Sequence, residues 1–216
     1  MLEKIIDFVF PNICGICGEK INERYTCRKC LNILKCYKEK IYYPSCDSKY
    51  YIDKIISAFN YNGLLKSKML QFKFHNNKYI AKTFGDILSY KISNHKIDVD
   101  IIIPVPICKE RYFDRGYNQS EYIAKYVSEL SGITLVNDVL KKDKNNKQQS
   151  LLDKSKREEN VKDVYSVKNS YKVINKKVLL LDDIYTTGAT LNECSKVLKK
   201  AGAKNIVGIT VLYSDK

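Results

Sequence analysis

Apolar residues in this chain fall into short continuous runs separated by amphipathic stretches, the pattern of buried strands alternating with surface helices. Ile55 to Tyr61 alternates and predicts a strand. Gly63 to Phe74 spaces Leu64, Leu65, Met69, Leu70 and Phe72 at helical intervals, and Lys78 to Ile92 repeats the spacing with Ile80, Phe84, Ile87 and Leu88. Both predict helices. Asp100-Ile-Ile-Ile-Pro-Val-Pro106 is an apolar run ended by prolines, as expected of a buried parallel strand feeding a loop. Further along, the pattern predicts a helix over Asn118 to Leu130 stopped near Gly132, and a short helix over Ser155 to Asp163. It also predicts a strand over Lys177 to Asp182, a helix over Thr190 to Ala201 ending at Gly202, and a last strand over Asn205 to Tyr213. Lys141 to Lys147 is polar and aperiodic, which predicts a mobile loop. Alternating strands and helices predict an α/β fold with a mostly parallel sheet flanked by helices.

The first fifty residues follow a different rule. Met1 to Phe10 carries Glu3, Lys4 and Asp7 inside an apolar run and predicts a short amphipathic helix rather than a signal peptide. Residues 12 to 46 hold six of the eight cysteines and lack long apolar periodicity, as a metal-held knuckle does when its core is too small to fold unaided. The expected division is a metal-binding module over 1–50 and a main domain over 51–216. Cys14-x-x-Cys17 and Cys27-x-x-Cys30 are two close pairs able to grip Zn2+ tetrahedrally as thiolates. Four protein ligands close such a site, so its expected role is structural. Gly15 and Gly18 suit the tight turn around the metal, and Lys20, Arg24, Arg28 and Lys29 offset the thiolate charge. Cys36 and Cys46 could each replace one of the four, and Cys108 and Cys194 read as buried thiols of the main domain. Reduced cysteines and the lack of a membrane-spanning stretch predict a cytoplasmic protein.

Charge adds a partner class. A net charge of +14 favours a polyanionic partner, although only five of the 38 basic residues are arginine and excess lysine also serves as solvated surface.

Chemistry concentrates in Val178-Leu-Leu-Leu-Asp-Asp-Ile-Tyr-Thr-Thr-Gly-Ala-Thr-Leu191. In an open α/β sheet, ligands sit beyond the carboxyl ends of strands, which is where Asp182 and Asp183 emerge. The turn from Thr186 to Thr190 offers N–H groups and hydroxyls at a helix N-terminus, a setting that favours phosphate. Carboxylates beside a phosphate cradle repel the phosphate unless they face sugar hydroxyls. The expected ligand therefore has a diol and a phosphate at opposite ends, as ribose 5-phosphate does. No Gly-x-x-x-x-Gly-Lys pattern is present, which excludes a P-loop nucleoside triphosphatase.

This segment resembles the phosphoribosyl-pyrophosphate motif of type I phosphoribosyltransferases in the form found in the ComF family. A second stretch, Ile103-Pro-Val-Pro-Ile-Cys-Lys-Glu-Arg-Tyr-Phe-Asp-Arg-Gly-Tyr-Asn-Gln119, resembles the ComF signature, and a third, Gln149 to Asn160, keeps the family's spacing of Gln, Arg and Asn. The resemblance covers essentially the whole chain. It implies that Asp182 and Asp183 bind the ribose hydroxyls and that Thr186, Thr187, Gly188, Ala189 and Thr190 bind the 5'-phosphate. Lys109, Arg111 and Arg115 stand where they could neutralise pyrophosphate, and Gln149, Arg157 and Asn160 belong to a closing loop. Mg2+ would accompany phosphoribosyl pyrophosphate. ComF relatives usually carry further Cys-x-x-Cys pairs that form a double zinc ribbon, whereas Cys36 and Cys46 stand singly here, which leaves a second zinc open.

By the same resemblance, the expected role is natural competence: cytoplasmic handling and hand-over of single-stranded DNA, with a competence helicase and recombination-loading proteins as partners. Tyr112 and Tyr117, interleaved with cations, suit stacking on unpaired bases. The alternative is an active phosphoribosyltransferase working on an unidentified small acceptor; the sequence shows no glutaminase domain.

Overall fold

The computed structural model describes residues 13–21, 25–35, 37–44, 50–75, 77–143 and 163–214. The expected helices over 1–10 and 155–163 (Asp163 excepted), Arg24, Cys36, Cys46, Gln149, Arg157 and Asn160 lie outside the described residues.

Six strands form the main sheet in the order β1-β2-β8-β7-β3-β4: β1 Lys40–Tyr42, β2 Lys54–Asn60, β3 Ile101–Pro104, β4 Thr134–Leu135, β7 Lys177–Tyr185 and β8 Asn205–Tyr213. Only β1 runs antiparallel to its neighbour. A separate antiparallel pair joins β5 (Leu140–Lys142) to β6 (Tyr165–Val167). Lys141 and Lys142 thus stand in a strand, not in the mobile loop expected over 141–147. Their backbone groups pair with Ser166 and Tyr165, a partner that periodicity over seven residues cannot reveal.

Period-two alternation sends side chains of one strand into two cores. Leu179 and Leu181 of β7 enter one with Val207, Ile209 and Val211 of β8. Helices α2 (Gly63–Phe74), α3 (Ile80–Asn94) and α5 (Gln119–Ser131) cover that face through Leu65, Met69, Phe72, Phe84 and Ile123. Val178 and Leu180 enter the other core, covered by Leu191, Cys194 and Leu198 of α6 (Ala189–Lys200) and by Leu140 and Tyr165 of the small pair. Burial on both faces is why the β7 and β8 runs are nearly continuous in apolar residues.

The cysteine segment is packed into the first core. Cys14, Ile16, Cys27, Cys30 and Leu34 are buried there, the last two on α1 (Arg28–Lys35). Thr83 of α3 accepts from the Gly15 N–H at 2.9 Å, and its hydroxyl donates to the Tyr25 carbonyl. A side chain at position 15 would meet the Thr83 hydroxyl at 2.7 Å, so Gly15 is small for close approach to α3. Gly18, at φ +79°, is the glycine whose turn needs left-handed backbone.

Candidate functional site

Strand lengths create the site. β3 stops at Pro104, level with Leu181 of β7, while β7 continues, so Asp182 and Asp183 stand beyond the edge of β3. The chain leaving β3 is tied down by two hydrogen bonds: Val105 N–H donates to the Leu181 carbonyl at 2.9 Å, and the Asn118 side-chain amide donates to the Val105 carbonyl at 3.0 Å. The same Asn118 side chain accepts from Ser120 N–H at 3.1 Å and caps α5 as the sequence predicts. That cap aims the start of α5 at the acids, where Ser120 Oγ donates to Asp182 Oδ1 at 3.0 Å.

The two carboxylates have different surroundings. Asp182 Oδ1 also accepts from Asp183 N–H at 2.8 Å, yet burial, followed by the neighbouring Asp183 charge, pushes the Asp182 carboxyl up to about 7. Asp183 is paired instead, with Lys73 Nζ of α2 at 2.6 Å from its Oδ2. At neutral pH the dyad is therefore divided between a partly protonated acid and an ion-paired carboxylate.

Beyond the acids the turn opens α6. Gly188 takes φ +79° at the N-cap, and a side chain there would meet the Tyr185 ring at 2.9 Å. Thr187 Oγ1 accepts from Ala189 N–H at 3.3 Å, so this hydroxyl serves the turn itself. Across from the turn, α4 (Lys109–Arg115) has no buried residue and leans Arg111 and Arg115 inward.

These elements enclose a cavity of about 490 Å³. Of the residues expected from sequence, Asp182, Asp183, Thr186, Gly188, Ala189, Thr190, Arg111 and Arg115 line it; Lys109 and Thr187 do not. Sequence reasoning missed several others. Lys73 and Ser120 reach the acids from α2 and α5, and Lys142 reaches the cavity from β5 with its Nζ 5.4 Å from the centre of the Tyr165 ring. Burial, then the nearby Arg111 charge, lowers the Lys142 ammonium below its usual range. Tyr117 corrects an expectation: it is 2% exposed, its hydroxyl donates to the Phe72 carbonyl, and it offers no stacking face to a partner.

The four cysteines named from spacing do converge. Their sulfurs all lie within 4.8 Å of one another, with Cys17 Sγ 3.6 Å from Cys27 Sγ. Tetrahedral zinc with bonds of about 2.3 Å sets sulfurs about 3.8 Å apart, so the set could hold a metal such as zinc. Burial raises the Cys27 and Cys30 thiols, and the Cys17 and Cys14 sulfurs raise both further, a penalty that a bound dication would reverse. Among the described residues, no helix is long and apolar enough to cross a membrane.

Residues 120–216 match the family described as phosphoribosyl transferase domain. Competence protein F of Haemophilus influenzae is 32% identical over 205 residues, spanning 91% of this chain and 82% of that protein. Competence protein ComFC of Bacillus subtilis is 27% identical over 207 residues, spanning 94% and 78%. Among solved structures, adenine phosphoribosyl transferase from Trypanosoma brucei, in complex with AMP, pyrophosphate and ribose-5-phosphate, is 11% identical with a TM-score of 0.44. The match covers 86% of this chain and 78% of that one. With this fold, its acid pair at the end of β7 and relatives that span most of its length, the chain belongs to the competence protein F (ComF) family, whose phosphoribosyltransferase-type domain it carries.

Proposed function

We propose that the cavity binds a phosphoribosyl ligand, phosphoribosyl pyrophosphate or a nucleotide, in a protein that handles single-stranded DNA during competence. One observation carries the ligand: Asp182 and Asp183 open onto the same cavity as the glycine-threonine turn at the start of α6. Carboxylates accept from a diol and repel a phosphate that no cation neutralises. N–H groups at a helix start donate to a phosphate and repel a cation. A ribose 5-phosphate satisfies both.

The remaining charges suit a pyrophosphate. Arg111 and Lys142 lie near each other, and neither forms an ion pair among the described residues. Two neighbouring like charges that repel each other favour a polyanion between them. Asp182 and Asp183 would hold Mg2+, and the ion would supply charge neutralisation to the pyrophosphate. Lys73 holds Asp183 in place, and Ser120 orients Asp182 through the hydrogen bond to Oδ1.

Calorimetry with phosphoribosyl pyrophosphate and Mg2+ tests the reading. Affinity should fall at least a hundredfold when Asp182→Asn and Asp183→Asn are combined, and unchanged affinity would remove the acids from the ribose.

The DNA role rests on a second observation. Helix α4 exposes Tyr112 (50%) and Phe113 (83%) beside Lys109, an aromatic and basic ledge suited to unpaired bases. Helicase and recombination-loading partners follow from the family alone. The alternative activity, phosphoribosyl transfer to a small acceptor, would need room beside the ribose within the cavity of about 490 Å³.

A further inference from the structure

Helix α4 buries none of its side chains and is held at its ends instead. Cys108 before it and Tyr117 after it are each 2% exposed, and Gly116 closes it in left-handed backbone at φ +74°. A helix this short is marginal in water, so the few contacts its side chains make decide how firmly it is seated. Of those side chains only Arg111 and Arg115 are partly covered, and both line the cavity.

The order of residues along α4 gives it distinct sides. At about 100° per residue, Arg111 and Arg115 share one side, Tyr112, Lys109 and Phe113 form a second, and Glu110 and Asp114 a third. The arginine and aromatic sides are centred about 130° apart, so one helix presents one surface to the cavity and another to solvent.

The two arginines are fastened unequally. Arg115 donates to Gln119 Oε1 at 3.0 Å and lies over the Phe74 ring, 5.2 Å from its centre. Arg111, one turn nearer the start of α4, forms no ion pair or hydrogen bond among the described residues, and the charge of nearby Lys142 repels it. The first turn of α4 therefore has no side-chain tether to the described body of the domain. An anion bridging Arg111 and Lys142 would supply one.

We infer that α4 couples two binding events: a pyrophosphate-bearing ligand in the cavity tightens the hold of Lys109, Tyr112 and Phe113 on single-stranded DNA, and the DNA tightens the hold on the ligand. The inference rests on the reading that the cavity takes a phosphoribosyl ligand and that the outer side of α4 takes unpaired bases. Each partner orders the same helix, so whichever binds second no longer bears the cost of ordering it. Charge works in the opposite direction, because a bound pyrophosphate weakens the positive field that attracts DNA. At about 0.15 M salt that field is screened over about 8 Å. The ordering effect should therefore win at physiological ionic strength, and the coupling factor should grow as salt is raised further.

The test measures the coupling from both sides, on the full chain and with Mg2+ in every sample. Anisotropy of a fluorescent oligothymidylate gives the DNA affinity with and without saturating phosphoribosyl pyrophosphate. Calorimetry gives the affinity for phosphoribosyl pyrophosphate with and without saturating oligothymidylate. Both affinities should tighten about fivefold and by the same factor, since linkage between two sites is reciprocal. Ribose 5-phosphate has no pyrophosphate to reach Arg111 and should change DNA affinity by less than twofold. Arg111→Met should bring the factor for phosphoribosyl pyrophosphate to one; if that variant no longer binds it, the comparison with ribose 5-phosphate decides. Amide hydrogen exchange over residues 109–116 should slow with phosphoribosyl pyrophosphate and not with ribose 5-phosphate. A factor of one, with both partners binding, would overturn the coupling and leave the two sites standing. A factor below one would overturn it by showing competition for α4, and an equal gain with ribose 5-phosphate would overturn the route through Arg111. Failure of phosphoribosyl pyrophosphate or of DNA to bind at all would refute the underlying reading and the coupling with it.

Discussion

Replacing Asp182 by Asn should stabilise the ligand-free protein while abolishing its ligand affinity. Asn keeps the shape of Asp and an oxygen to accept from Ser120 Oγ and Asp183 N–H, and it removes a carboxyl that burial and Asp183 push up to about 7. Between the ordinary value of 3.8 and about 7, the unfolded chain has released the proton that the native state still holds. The wild type therefore loses stability as pH rises through that window and is level above it. The variant has nothing to titrate there, so its advantage should grow from about pH 4 to pH 7 and then plateau. Roughly three pH units at about 1.4 kcal/mol each set a ceiling of about 4 kcal/mol. Asp182 keeps partial exposure on the cavity floor, so solvent screening reduces the realised gain to about 1–3 kcal/mol. At about 2–4 °C per kcal/mol for a chain of this size, melting temperature should rise by several degrees at pH 8 and by much less at pH 5. Scanning calorimetry of both proteins at each pH cancels whatever titrates in both, the cysteines included. A shift independent of pH, or a loss of stability at pH 8, would refute the assignment of a strained acid at this position.

Three other changes probe other parts of the chain. Lys142→Met should lower affinity for phosphoribosyl pyrophosphate about tenfold or more and leave ribose 5-phosphate nearly unchanged in the same calorimeter, because the lost ammonium faces the pyrophosphate end. Purified protein should carry about one zinc per chain by elemental analysis; Cys30→Ser should lose it, and Thr83→Val should speed its release to a chelator by orphaning the Gly15 N–H and Tyr25 carbonyl. Affinity for single-stranded DNA, measured by fluorescence anisotropy, should fall steeply with salt and fall again in the Tyr112→Ala, Phe113→Ala variant, whereas Tyr117→Phe should bind as the wild type does.

What the sequence disclosed and what it hid follow from the range of the interactions involved. Helix α2 and strand β8 begin and end where periodicity puts them, because each presents a full face or pair of faces to the cores. The acid pair and the turn after it were legible as well, since their chemistry lies within nine consecutive residues. Helix α4 was not legible: Lys109 to Arg115 buries nothing and so carries no apolar spacing. Lys73, Ser120 and Lys142 were hidden for another reason. Each lies at least 40 residues from Asp182, and only the sheet order and the Asn118 cap bring them to it.

The same long-range view shows what a metal on the four cysteines could do for a cavity that lies elsewhere in the chain. The cysteine segment is short of core of its own, yet it lies directly on the helix pair α3 and α5. Gly15 and Tyr25 hydrogen-bond to Thr83 of α3, while the Tyr25 ring meets Tyr126 of α5 edge-on at 5.6 Å, and Lys82 of α3 lies over both rings. Beneath that contact the two helices approach so closely that a side chain on Gly85 would sit 2.5 Å from the Tyr126 Cβ. Small residues at a helix crossing fix spacing because neither backbone can retreat without opening a void. Helix α5 in turn presents Ser120 to Asp182 and Gln119 to the cavity from its first turn. A metal held by Cys14, Cys17, Cys27 and Cys30 would therefore brace the outer side of the helix whose inner end orients the acid, and would act on the cavity through packing rather than through a shared ligand.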